Sequence, residues 1–166
     1  MSAIGDRIRD YVLGRTGQQV GRGECTDLVT FALRDVGART HYPQHAGHYV
    51  WGAPVALPDA KPGDFLQFRS HRTVIRNAGG DEVTEHRGHP SHTAVVVENL
   101  GNGRLRVAEQ NMIYPGGRRT RNVETNTIYI SSQVTADNRT VAVSGQVWVF
   151  RAQAAAPAMA AALGRR

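Results

Sequence analysis

The sequence predicts an α+β domain in which N-terminal helices pack on an antiparallel β-sheet of about five to six strands. Three observations carry this prediction. Apolar residues recur at helical spacing in two segments before residue 40. From residue 65 onward, short runs of β-branched and aromatic residues alternate with polar positions. The turns between them are too short for parallel crossovers, so neighbouring strands should pair antiparallel against the helices.

The first helix is expected at Ala3 to Leu13, where Ile4, Ile8, Tyr11 and Val12 share one face. Gly14, Gly17, Gly21 and Gly23 then impose a loop. The second helix begins near Cys25, with Leu28, Val29, Ala32, Leu33 and Val36 in one apolar stripe. Asp27 favours its first turn and Gly37 its stop. Thr40 to Asp59 is irregular, with Pro43, Pro54 and Pro58 and three histidines.

Lys61-Pro62-Gly63-Asp64 is a turn into a first strand at Phe65 to Arg69. Thr73 to Arg76 and Glu82 to Glu85, joined through Asn77-Ala78-Gly79-Gly80, read as a hairpin inserted before the next core strand. His92 to Glu98 is the strongest strand signal. Gly101-Asn102-Gly103 turns it into Arg104 to Glu109, and further strands are expected at Asn122 to Ile130 and Gln146 to Arg151. Residues 1–151 thus form the domain. Residues 152–166 are an Ala-rich tail, either a docked helix or a linker.

At 166 residues and 40% hydrophobic, the chain suits one domain with a buried core. No stretch approaches the ~20 apolar residues of a membrane span. The charged N-terminus lacks the apolar core of a signal peptide. The expectation is cytoplasmic synthesis, with any delivery to a cell wall or export by a signal-independent route. A single cysteine cannot form an internal disulfide. The formal charge is +6, carried by scattered arginines with Lys61 the sole lysine. That balance suggests an anionic partner, or arginine usage without function. No nucleic-acid-binding spacing is present, so no nucleic-acid partner is expected.

Cys25 stands where a glycine-rich turn meets a helix start, and the positive end of the helix dipole favours thiolate there. The bland alternative is a packing cysteine. His92 opens the apolar strand after Pro90-Ser91 and is the candidate base; its bland alternative is a surface histidine. The Gly101-Asn102-Gly103 turn folds the following strand back, bringing Glu109, Gln110 and Asn111 towards His92. A carboxylate or amide there can accept the imidazole N–H and fix its tautomer.

Gly-x-Cys25-Thr-Asp-Leu-Val, Pro62-Gly-Asp-Phe-Leu-Gln-Phe, Ser91-His-Thr-Ala-Val-Val-Val and Val107-Ala-Glu-Gln-Asn together resemble a CHAP domain. This family is the cysteine, histidine-dependent amidohydrolases/peptidases, relatives of the NlpC-type cell-wall peptidases. The resemblance spans roughly residues 5–112. It implies a papain-like fold with Cys25 as nucleophile, His92 as general base, Glu109 orienting His92, and Asn111 as a further polar member of the site. It implies amide hydrolysis, mostly in peptidoglycan, with no cofactor. The implied partners are peptidoglycan or another peptide substrate and an inhibitory immunity-type protein, and the chain is expected to be a monomer.

The oxyanion of such a reaction needs donors, most simply the Cys25 N–H. Gln19, or Gln18 beside it, could add a side-chain donor. Tyr49 and Trp51 resemble the family's groove-lining aromatic stretch, or simply pack in the core. The stretch Ser70 to Pro90 is longer than the family pattern and reads as a lid or a solvated hairpin.

Other readings start from the same residues. The centre could act on a protein amide, as a protease or deamidase, or the fold could serve as a binding module without turnover. His86, His89 and His92, or His41, His45 and His48, could instead ligate zinc, although the glycines and prolines around them disfavour it.

Overall fold

A computed structural model describes residues 3–157. Two helices, α1 (Ile4–Leu13) and α2 (Cys25–Asp35), precede nine strands: β1 (Ala53–Val55), β2 (Phe65–Arg76), β3 (Glu82–Gly101), β4 (Arg104–Glu109), β5 (Met112–Ile113), β6 (Arg119–Thr120), β7 (Glu124–Tyr129), β8 (Gln133–Val134) and β9 (Thr140–Arg151). Both helices fall where apolar spacing puts them. α2 ends where Gly37 takes a left-handed φ of 66°, a conformation glycine adopts without the Cβ clash other residues meet.

The sheet is larger than the sequence suggests. Seven strands join it in the order β1-β9-β2-β3-β4-β7, with β8 beside β9, and all pairings are antiparallel. β5 and β6 form a separate two-stranded ribbon. The strands left out of the sequence reading are two- and three-residue edge pieces, too short to show a period. β1 also contains Pro54, which is tolerated at a sheet edge.

The Ser70 to Pro90 stretch contains the expected hairpin, with Thr73 to Arg76 paired to Glu82 to Glu85, and it is continuous with the core strands. It is the outer half of the two longest strands, since β2 and β3 stay paired from Phe65↔Val95 to Arg76↔Glu82 with one irregularity between Arg69 and His71. Its partner β9 starts at Thr140, six residues before the predicted Gln146, and kinks at the same level. Gly145 has a φ of 88° and packs so closely on Ser70 that a Cβ would strike its carbonyl. That glycine split one long strand into two weak signals. Residues 152–157 are not helical, although Ala154 makes one bridge to Ala38. The rest of the tail lies outside the described residues.

Alternation along the strands divides the core in two. Phe65, Val95, Ala108 and Phe150 face Ile8, Val12, Leu28, Val29 and Leu33 of the helices. Leu66, Phe68, Ala94, Val96, Leu105, Val107 and Ile128 form a second apolar cluster on the other face. Each of these central side chains is almost wholly buried. At ~25 cal/mol per Å² of apolar surface removed from water, such burial is the main force holding α2 against the sheet. The apolar packing thereby fixes Cys25, the first residue of α2, beside β3. Among the described residues no helix is long and apolar enough to cross a membrane.

Candidate active site

Helix α2 delivers Cys25 to the centre of β3. The thiol is partly buried and shares a cleft with the His92 imidazole, which interacts with it. Burial pushes the thiol pKa up, but the hydrogen bond and positive charge of His92, with the Thr93 backbone N–H, outweigh it and leave the pKa below the ordinary value. His92 Nε2 lies 3.0 Å from Glu109 Oε2, which leaves Nδ1 for the thiol. Burial alone would lower the His92 pKa. Hydrogen bonds to Cys25 and Glu109, and the charge of each, raise it to about 9. These two shifts favour a thiolate–imidazolium pair near neutral pH.

Glu109 is fully buried, and burial disfavours its charge. Arg87 and His92 reverse that effect and hold the carboxyl well below the usual carboxylate range. The Arg87 guanidinium donates from Nη2 to Glu109 Oε1 at 2.8 Å and from Nε to Oε2 at 3.1 Å, and from Nη1 to Glu85 at 3.1 Å. Asn126 Nδ2 donates to Glu109 Oε1 at 2.9 Å and contacts the Tyr114 hydroxyl at 2.8 Å. The imidazole is therefore oriented by a carboxylate that is itself gripped from two sides. His71, buried beside Arg87, has no hydrogen-bond partner for either ring nitrogen among the described residues. Burial and the Arg87 charge depress its pKa to about 4, so it stays neutral.

A second buried amide sets the loop before the thiol. Gln110 accepts the Val20 N–H at 3.1 Å and donates to the carbonyls of Val20 and Glu24 at 3.0 and 2.6 Å. The Cys25 N–H donates to no group among the described residues, so it is free to meet an oxyanion. Gln67 fixes the backbone of His92 by donating to its carbonyl at 3.0 Å, while its own oxygen accepts from Trp51 Nε1 and the Thr93 hydroxyl.

A sequence model of the AIM3/BBC1 cysteine proteinase-fold domain matches residues 1–160. The chain belongs to that family. The protein "Altered inheritance of mitochondria protein 3" of Debaryomyces hansenii is 32% identical over 127 residues, covering 66% of this chain. The match spans 13% of that relative's length. No solved structure matches. The AIM3/BBC1 domain carries the papain-like, cysteine proteinase fold expected from the resemblance, whereas the narrower CHAP assignment receives no support.

In this AIM3/BBC1 domain the candidate residues separate into groups. Cys25, His92 and Glu109 are brought together. Asn111 lines the same cleft, but its amide is engaged by Glu24 at 2.9 Å. Gln19 donates to the Gly21 carbonyl at 3.2 Å and lies against Gly23, two residues before the thiol. Tyr49 is exposed and lines a neighbouring cleft, while Trp51 is buried in the core. His86 and His89 lie with ring centroids 5.1 Å apart and planes tilted by 37°, and His92 is committed to Glu109. Among the described residues, no group of three or more His, Cys, Asp or Glu side chains could hold a metal ion.

Sequence reasoning missed Arg87, Asn126, Gln67 and the role of Gln110. Gln67 and Gln110 sit inside motifs already singled out, between Leu66 and Phe68 and between Glu109 and Asn111. A polar residue amid buried positions was the available signal. Arg87 gives none, because it sits in the stretch that reads from sequence as a lid or a solvated hairpin.

Proposed function

We propose that this domain is a cysteine hydrolase of peptide amides. The Cys25 thiolate attacks the amide carbonyl, and the free Cys25 N–H steadies the oxyanion. The His92 imidazolium then gives its proton to the departing amine as the C–N bond breaks, leaving a thioester on Cys25. Neutral His92 next takes a proton from water as the water oxygen attacks the thioester. Collapse of that adduct releases the acid, and the proton returns to the Cys25–His92 pair. Glu109 stays ionised throughout and holds the ring. The observation that carries the reading is the Cys25–His92–Glu109 relay at the start of α2.

The first-choice bond is in a peptide or protein. Peptidoglycan peptides, the expectation drawn from the CHAP resemblance, gain nothing from a relative named for mitochondrial inheritance in Debaryomyces hansenii. They remain an arm of the test. Wild type and Cys25→Ala are incubated with a mixed-sequence peptide library and, separately, with peptidoglycan, and products are identified by mass spectrometry. Cleavage of peptides by wild type alone supports the proposal. Identical products from both proteins on every substrate would sink it.

A further inference from the structure

Cys25 lines one of two clefts that meet at Ser91. One, of about 440 Å³, holds Cys25 and His92 and runs past His86 and Tyr114 to Arg119. The other, of about 370 Å³, is walled by His45, His48, Tyr49 and Arg69. Ser91 lines both, and it precedes His92 in β3. Arg69 is its cross-strand partner, just as Phe68 is the partner of His92. An extended chain lying through both clefts would pass the thiol and meet Arg69 in one cleft and Arg119 in the other.

The two arginines are set apart by what surrounds them. Neither cleft is lined by an aspartate or a glutamate. Neither Arg69 nor Arg119 forms an ion pair or donates a hydrogen bond among the described residues. Their neighbours behave differently. Arg118 is held by Glu124 at 3.0 Å, and Arg121 lies 3.9 Å from Glu24. Elsewhere, a cleft containing Arg139 also contains Asp137, and one containing Arg151 also contains Asp64, each pair in direct contact. The cleft of Cys25 and His92 thus holds one arginine free of ionic partners, Arg119, and the cleft joined to it at Ser91 holds another, Arg69. The start of α2 and the imidazolium add positive potential between them.

We infer that the groove selects an acidic peptide, with one carboxylate bound by Arg69 and another by Arg119 on opposite sides of the scissile amide. This rests on the hydrolase reading for the word scissile, but the binding preference is measurable without chemistry. Guanidinium–carboxylate pairing supplies the recognition, because its charge-assisted, bidentate hydrogen bonds match a carboxylate and not its amide isostere.

The test uses fluorescein-labelled octapeptides with glutamates at varied positions, their glutamine isosteres and lysine counterparts, and Cys25→Ser protein in fluorescence anisotropy. The best glutamate peptide should bind roughly tenfold tighter than its glutamine isostere, equivalent to about 1.4 kcal/mol. Arg69→Gln and Arg119→Gln should each remove part of that margin, and the double variant should remove it. Arg7→Gln, outside both clefts, should leave it unchanged.

Equal binding of glutamate and glutamine peptides, or no saturable binding of glutamate peptides at millimolar concentration, overturns the inference. So does tighter binding of a single-stranded RNA oligonucleotide than of any peptide. Wild-type protein is run in parallel on the same peptides with mass spectrometry. Acid-selective binding without cleavage would reject the hydrolase and keep the acidic-peptide site, whereas cleavage without acid selectivity would do the reverse.

Discussion

The Arg87 guanidinium and the Glu109 carboxylate face each other across β3 and β4 at 2.8 Å, with side chains only 2% and 0% exposed. An ion pair removed from water in this way stabilises little in net terms, because desolvation offsets the attraction, but breaking it strands a buried charge. Arg87→Met should therefore lower stability by about 3–5 kcal/mol, read as a shift in the urea midpoint. Arg87→Lys keeps a charge but loses the planar fork. It should fold, raise the Glu109 pKa and weaken the hold on His92. Iodoacetamide labelling of Cys25 near neutral pH would then slow. A labelling rate unchanged from wild type in Arg87→Lys would show that the arginine serves packing alone.

The thiolate should be present below the ordinary thiol pKa. Wild-type Cys25 should alkylate at pH 7 faster than a free thiol, and His92→Ala should slow it by roughly tenfold or more, since each pKa unit is tenfold in thiolate. Turnover should behave differently at high pH. It needs the imidazolium proton, so it should fall as pH passes about 9, while labelling stays fast. Parallel pH profiles of cleavage and labelling check both limbs, and coincident limbs at high pH would refute the role given to His92.

Stability has its own pH dependence, with opposite signs at the two ends. The His92 pKa is raised in the fold, so its contribution is complete below about 6.5 and disappears as pH climbs to about 9. The Glu109 pKa is depressed, so its contribution is complete above about 4.5 and is lost on acidification. Urea midpoints should therefore be highest between those values. Glu109→Gln should flatten the acid side of the curve.

The two aromatic residues of the Tyr49–Trp51 segment should separate cleanly. Trp51 is 8% exposed, in the helix-facing core, and bonds Gln67. Trp51→Ala should cost about 3–5 kcal/mol in stability. Tyr49 is 48% exposed beside Arg69, and Tyr49→Ala should leave the urea midpoint within about 0.5 kcal/mol while altering peptide binding. Equal loss of stability in both variants would contradict the placement of Tyr49 in a cleft.

The helices, the β3–β4 turn and the Cys25–His92–Glu109 relay were legible because each rests on a local pattern. An apolar stripe, a Gly-Asn-Gly turn and a strand opening on histidine need no knowledge of distant partners. Arg87 was illegible for the converse reason. Its function depends on meeting Glu109, 22 positions away, and nothing around it in sequence distinguishes it from an exposed arginine. The kink at Ser70 and Gly145 hid the full length of β2 and β9 in the same way, since a bulge breaks the period that marks a strand. Substrate was the least legible of all. The arginines of the two clefts become informative only once their lack of carboxylate neighbours is visible in space.

Glu109 and Gln110 are adjacent in the chain, yet one holds the imidazole and the other ties down the loop that carries the thiol. Gln110 directly follows β4, so a slip of that strand by one position would misplace both residues. In one direction the slip puts the Gln110 amide against His92. In the other it puts Ala108 there and drives the Glu109 carboxylate into the backbone of the Cys25 loop, and either way His92 loses its carboxylate. A misassembled sheet thus carries no half-competent thiol. This dipeptide makes correct strand pairing a condition for assembling the thiol with its imidazole.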